Sequence, residues 1–235
     1  MKQRSPGIFI GLVAAIILGF GVLAGTWLGL HSATVLGYEP DVLQATKTGP
    51  NSATLNLSTF PNSHVCHPNA PEPQLDWVTY CNSTSLEVPP NSTITVIIKN
   101  YDSATPLHND YFRQVQGTVD GTETVNGTSY SQVDATSVSH TFTIQSTPNS
   151  PNPMYVSVPV VGVGANVPDN VVIEGNAYPT PNIIQFQFQT GPAGGTYIWH
   201  CYDPCGTGLE GSNEGFGGPM ATTGYMAGTV TVASY

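Results

Sequence analysis

The sequence predicts an all-β domain, an antiparallel sandwich, behind one N-terminal transmembrane helix. Three observations carry this. First, apolar and polar residues alternate with period two in short runs, most clearly over 183–190 (IIQFQFQT), where Ile184, Phe186 and Phe188 share one face. Second, such runs recur at short intervals with Gly, Pro and Asn between them, and no amphipathic helix follows residue 30. Third, residues 7–30 carry no charge. At 1.5 Å per residue they span about 36 Å as a helix, enough for a hydrocarbon core of about 30 Å.

Taken in order, Lys2 and Arg4 precede the apolar segment, which puts the N-terminus in the cytoplasm and the rest outside. The segment is longer than the apolar region of a signal peptide, typically ~7–15 residues, so an uncleaved anchor over 1–30 is expected. Gly21, Gly25 and Gly29 fall on one helix face. That face permits close approach of a partner helix, although glycine is also common in membrane helices generally. Residues 31–85 are expected to form a neck with one short strand at 53–58, followed by a Pro-rich loop. His64, Cys66 and His67 lie in that loop, where exposed imidazoles on a disulfide-closed surface segment are expected rather than a metal site.

The sandwich proper is expected over 86–235. Residues 86–99 (LEVPPNSTITVIIK) predict a strand pair around a Pro-Pro-Asn turn, ended by 100–102. Residues 114–136 are rich in Gly, Thr, Asp and Asn and predict an exposed hairpin or insertion. A strand around His140 (VSHTFTI) follows, then a turn at 146–153, a buried apolar strand over 154–163, and strands over 169–178 and 183–190. The turn at 191–195 feeds a strand that ends at Cys201, and the run at 229–232 closes the domain.

Composition limits the function. The chain has 235 residues, enough for one core beside the anchor. Only 9% are charged, against roughly a quarter in typical soluble domains. The formal charge is −10, and Lys47, Lys99 and Arg113 are the basic residues beyond the N-terminal segment. No phosphate-neutralising surface follows from this, and nucleic acid is excluded as a partner. Because carboxylates protonate near pH ~4, such a chain avoids strong self-repulsion in acid, and an acidic exterior is one expectation. The other is an ordinary secreted glycoprotein, with sequons at Asn56, Asn82, Asn91 and Asn126.

The four cysteines fall into two close pairs and suit an oxidising compartment. Three pairings are formally open. Cys66 with Cys81 is the simplest structural disulfide, and a loop of that size contributes about 3 kcal/mol in the chain-entropy account. Zinc is disfavoured, since the spacings lack the short paired knuckles of zinc ribbons.

The residues with chemistry gather towards the C-terminus. A strand (GTYIW, 195–199) delivers Cys201, the following loop carries Cys205 and Met220, and Met226 precedes the last strand. Together with His140 these are soft and imidazole donors of the kind that suit copper. His200, one residue before Cys201, is expected to face the other way if the pleat continues. No Ser-His-Asp spacing, phosphate loop or paired catalytic carboxylates stand out, so hydrolysis is unsupported.

The HTFTI run, the GTYxWxC strand, the CxxxCG loop and the GYMxGTVxV ending resemble the cupredoxins, the superfamily of blue copper proteins and of cytochrome oxidase subunit II. The resemblance covers about 86–235. It implies a Greek-key β-sandwich, copper as cofactor, and electron transfer with a redox partner protein or terminal oxidase subunits in a respiratory chain. In a mononuclear centre it assigns His140, Cys201 and Met226 as ligands. In a dinuclear one it assigns Cys201, Cys205, the carbonyl of Asp203, and Met226. Thr223 stands where the oxidase pattern has a second imidazole, which leaves Met220 or His108 as supplementary donors. The competing expectation is a metal-free sandwich, a scaffold or surface-assembly subunit held by Cys66–Cys81 and Cys201–Cys205 disulfides.

Overall fold

Residues 41–67, 77–105, 107–148, 150–203 and 218–235 are described in a computed structural model of the chain. The expected anchor lies outside them, and among the described residues no helix is long and apolar enough to cross a membrane. The strands in chain order are β1 (Leu43–Gln44), β2 (Thr46–Gly49), β3 (Ser52–Phe60), β4 (Thr79–Cys81), β5 (Ser85–Val88), β6 (Thr93–Asn100), β7 (Glu123–Val125) and β8 (Thr128–Tyr130). They continue with β9 (Val138–Ser146), β10 (Tyr155–Val161), β11 (Asp169–Ile173), β12 (Asn176–Pro179), β13 (Asn182–Gln189), β14 (Thr196–His200) and β15 (Ala227–Val232).

One sheet runs β1-β5-β15-β14-β9-β10 and a second runs β2-β3-β6-β13-β7-β8, with β4 added along β3. Alternation decides which side chains meet between them. In β13 Ile184, Phe186 and Phe188 are buried while the intervening glutamines are exposed. Facing them are Phe142 and Ile144 of β9, Trp199 of β14 and Val230 of β15, all in the same buried cluster. The rings of Phe142 and Phe186 meet at 5.6 Å across the sheets.

Three sequence expectations change. The sheets are mixed: β1–β5, β5–β15 and β3–β6 pair in parallel. Residues 86–99 do not form a hairpin, because β5 and β6 lie in different sheets. Pro89 and Pro90 have no N–H to give a ladder, and the turn is tied instead to the end of β13, where Thr190 Oγ1 donates to Pro89 O at 2.7 Å. The strand placed in a neck is β3, nine residues long and paired along its length with β6. Its burial follows from Ala53, Leu55 and Leu57 alternating onto the core face.

A second, smaller cluster closes one end of the sandwich. Phe60 stacks on Tyr101 at 4.7 Å and meets Tyr178 edge-on. The Cys66–Cys81 disulfide and Val171 and Ile173 of the β11–β12 hairpin pack beside them. In the disulfide-closed loop His64 is exposed, but His67 is buried. The His67 Nε2–H donates to Gly224 O at 2.6 Å, so the loop is fastened onto the segment leading to Met226.

Candidate metal centre

The site is built by register at one end of the first sheet. β14 pairs with β15 so that Trp199 faces Gly228 and His200 faces Ala227. The next pair along is Cys201 with Met226, whose backbone bond is 3.0 Å (Cys201 N to Met226 O). On the other side β14 pairs with β9, with Trp199 opposite Ile144 and His200 opposite Thr143. Continuing that register puts Cys201 beside Phe142, two residues from His140. Side chains two apart share a face, so His140, Cys201 and Met226 all project from the core side of three neighbouring strands. All three are fully buried.

Cys201 carries a buried thiol. Its sulfur accepts the backbone N–H of Thr141 at 3.3 Å and lies 3.4 Å from the Asp203 carbonyl. The Tyr202 N–H, in turn, donates to Thr141 Oγ1 at 2.8 Å. The residue following His140 therefore grips both the sulfur and the chain beyond it. Trp199 and Tyr80 wall the interior side, their rings 5.0 Å apart, with Tyr80 6.5 Å from the His140 ring.

His140 Nε2–H donates to Asp102 Oδ2 at 3.0 Å, while its buried Nδ1 has no oxygen or nitrogen partner and the ring interacts with the Cys201 sulfur. Burial by itself would lower the imidazole pKa. The hydrogen bond to Asp102, the interaction with Cys201 and the negative charges of both outweigh it and hold the pKa at about 10. Asp203 is also buried, with neither carboxylate oxygen paired. Burial first, and then the charge of Cys201, push its pKa up to about 7 against the opposing effect of His140.

The remaining expected residues are distributed as follows. Met220 is buried in the 3-10 turn Pro219–Ala221, in the same cluster as Cys201 and Met226. The Met226 N–H donates to Pro219 O at 3.1 Å, tying that turn to the site. His108 is exposed, shortly before the 3-10 turn Asp110–Arg113. Cys205 lies outside the described residues. His200 faces away from the core, as the pleat requires, and both its ring nitrogens are engaged, with Cys201 O and Gln145. Asp102 and the Thr141 amide were not legible as site groups. No spacing links residue 102 to residue 140, and a backbone amide leaves no trace in residue type.

Among the described residues no three His, Cys, Asp or Glu side chains converge as a metal-holding group. The cluster instead offers one imidazole, one thiol and one or two thioethers. A buried imidazole beside a thiol, with thioethers in the same buried cluster, is a donor set that fits a soft or borderline cation such as copper.

No family model matches the sequence, and no curated protein matches it. Among solved structures the chain is similar to a point variant of rusticyanin (13% identity, 83% of this chain and 84% of that chain covered, TM-score 0.35). It is also similar to the copper protein rusticyanin (14%, 87% and 94%, TM-score 0.30) and to rusticyanin from Thiobacillus ferrooxidans (12%, 87% and 93%, TM-score 0.31).

Proposed function

We propose that the chain is a membrane-anchored, extracytoplasmic copper protein of the cupredoxin kind that transfers electrons. The observation that carries this is the register-defined convergence of His140, Cys201 and Met226 on one buried face, with the Thr141 amide on the sulfur. His140 through Nδ1, the Cys201 sulfur and the Met226 thioether would hold the metal, with Met220 as a further thioether. Copper bound there would supply a one-electron couple.

The chain's own part is to fix the donors and keep water out. Three hydrogen-bonded strands hold the ligand-bearing backbone, which limits how far the donors move between oxidation states. Trp199, Tyr80 and Phe142 exclude solvent from the interior side. The partner would be a redox protein or the subunits of a terminal oxidase, reached outside the membrane to which residues 1–30 attach the domain.

The test is copper content and visible absorption of the oxidised full-length chain, wild type against Cys201→Ser. About one copper per chain with an intense thiolate band near ~600 nm, lost in the variant, is expected for a mononuclear centre. Two coppers would indicate that Cys205 joins a dinuclear centre. A wild-type chain that takes up no copper after reconstitution, with all four cysteines oxidised, would overturn the proposal in favour of the disulfide-braced scaffold.

A further inference from the structure

We infer that Asp102 is a positioning residue of this site: its carboxylate orients His140 and sets the balance between the two copper oxidation states. The inference rests on the copper-binding proposal above and concerns a residue outside the donor set.

Asp102 follows the end of β6 in the second sheet, whereas His140 belongs to β9 in the first. The contact between them therefore bridges the sandwich. Both carboxylate oxygens are used. Oδ1 accepts the Ser103 N–H at 2.8 Å, which fixes the side chain in its own turn, and Oδ2 accepts His140 Nε2–H at 3.0 Å. The backbone beneath is clamped by buried Asn100. Asn100 Oδ1 accepts the Asp102 N–H at 3.1 Å, and its Nδ2 donates to Ser139 Oγ at 2.7 Å and to Val161 O at 2.8 Å. One side chain thus joins the end of β6 to β9 and β10, and the carboxylate is held over the imidazole rather than resting there by chance.

Two consequences follow. A carboxylate can only accept, so Nε2 keeps its proton and Nδ1 is the nitrogen left to bind a metal. A carboxylate on the far nitrogen also raises the basicity of a metal-bound imidazole. That added negative charge favours Cu(II) over Cu(I) and holds the reduction potential down. Asp102 is 18% exposed while His140 is fully buried, so the charge sits at the boundary between site and solvent. It also lines a surface cleft with Tyr101, Ser103, Val163 and Tyr178.

The experiment compares full-length wild type with Asp102→Asn, which removes the charge but keeps one acceptor oxygen. Cu(II) and Cu(I) affinities and the midpoint potential are measured, with thermal melts as the check on folding. Asp102→Asn is expected to weaken Cu(II) binding by about 10–100-fold, to weaken Cu(I) binding less, and to raise the potential by ~59 mV per tenfold change in the affinity ratio. Asp102→Glu, which restores the charge, should return the potential towards wild type. If Asp102→Asn does not fold, Asp102→Ser makes the same comparison, since its hydroxyl can still accept in the turn. Wild-type affinities and potential in the charge-free variant, with copper bound in both proteins, would overturn the role of Asp102 and leave the copper proposal standing. A wild-type protein that binds neither Cu(II) nor Cu(I) would overturn the copper proposal, and this inference with it.

Discussion

Glu123 shows how one buried carboxyl can set the response of a protein to pH. It lies in β7 beside β13, where Thr124 pairs with Gln185 and Val125 with Ile184, so the register sets it next to the buried Phe186. Both its oxygens are buried without a hydrogen-bond partner. Burial raises its pKa well above the ordinary 4.5, so the folded state holds the proton over a range where the unfolded chain has released it. Its contribution is then fully present below pH 4.5 and is lost as pH rises towards the folded pKa. Glu123→Gln should flatten that decline, so that denaturant midpoints at pH 4 and pH 7 differ less in the variant than in wild type. Equal differences in the two proteins would show that Glu123 is not the group responsible.

Met226 separates packing from ligation at the same scale. It is fully buried, and Met226→Leu conserves volume, so stability should change by less than about 1.5 kcal/mol. If the thioether serves the metal, the redox potential and absorption spectrum of the copper-loaded variant will move although the melting curve does not. The sequons belong here too. Asn82, Asn91 and Asn126 have φ of 44°, 49° and 50°, a left-handed conformation that asparagine tolerates. Two of them use the nitrogen that a glycan would need: Asn82 Nδ2 donates to Asn56 O, and Asn126 Nδ2 to Asn182 Oδ1, each at 2.8 Å. At these two positions the turn itself accounts for the asparagine.

At the scale of the element, β14 and β15 depend on a close approach at Gly228. A Cβ there would lie 1.9 Å from the Thr84 carbonyl oxygen. That oxygen already accepts the Thr229 N–H at 3.0 Å and the indole N–H of Trp199 at 2.9 Å. Gly228→Ala should therefore push β15 off its neighbours and cost about 3 kcal/mol, read as a fall in the urea midpoint. If Met226 serves copper, copper uptake should fall with it, because Met226 immediately precedes that strand. The elements themselves were largely legible. The alternation in 183–190 gave β13 and its buried face, and the apolar run after Pro153 gave β10. Partner choice was less so. Val88 and Thr93 sit five residues apart yet belong to opposite sheets, because pairing is settled by which edge is available and not by the turn residues alone.

For the whole molecule, the Cys66–Cys81 disulfide ties the loop before β4 to the body of the sandwich, close to the segment that carries Met226. Replacing both cysteines by serine should cost about 3 kcal/mol, the loop-closure value for the 15-residue separation. The checks are a lower melting temperature and faster proteolysis of that loop. Asp203 and His140 act in the same direction as Glu123. The Asp203 contribution is present below 3.8 and lost as pH rises through about 7, and that of His140 is present below 6.5 and lost through about 10. A chain with few basic residues and these buried groups should, without metal, be most stable in acid.

By itself the sequence determined the all-β class, the strand at Cys201 and the sulfur and imidazole residues of the site, and it made Cys66–Cys81 the simplest of three pairings. These follow from periodicity, residue chemistry and short spacing, which act locally along the chain. Only the tertiary structure decided that 43–60 is integral to the sandwich, that Cys201 lies opposite Met226 on the face that His140 shares, and that Asp102 reaches across from the other sheet to hold the imidazole. Those are consequences of register and of strand order. Both are set by which apolar faces can be buried together, a condition on the whole chain at once that no local stretch contains.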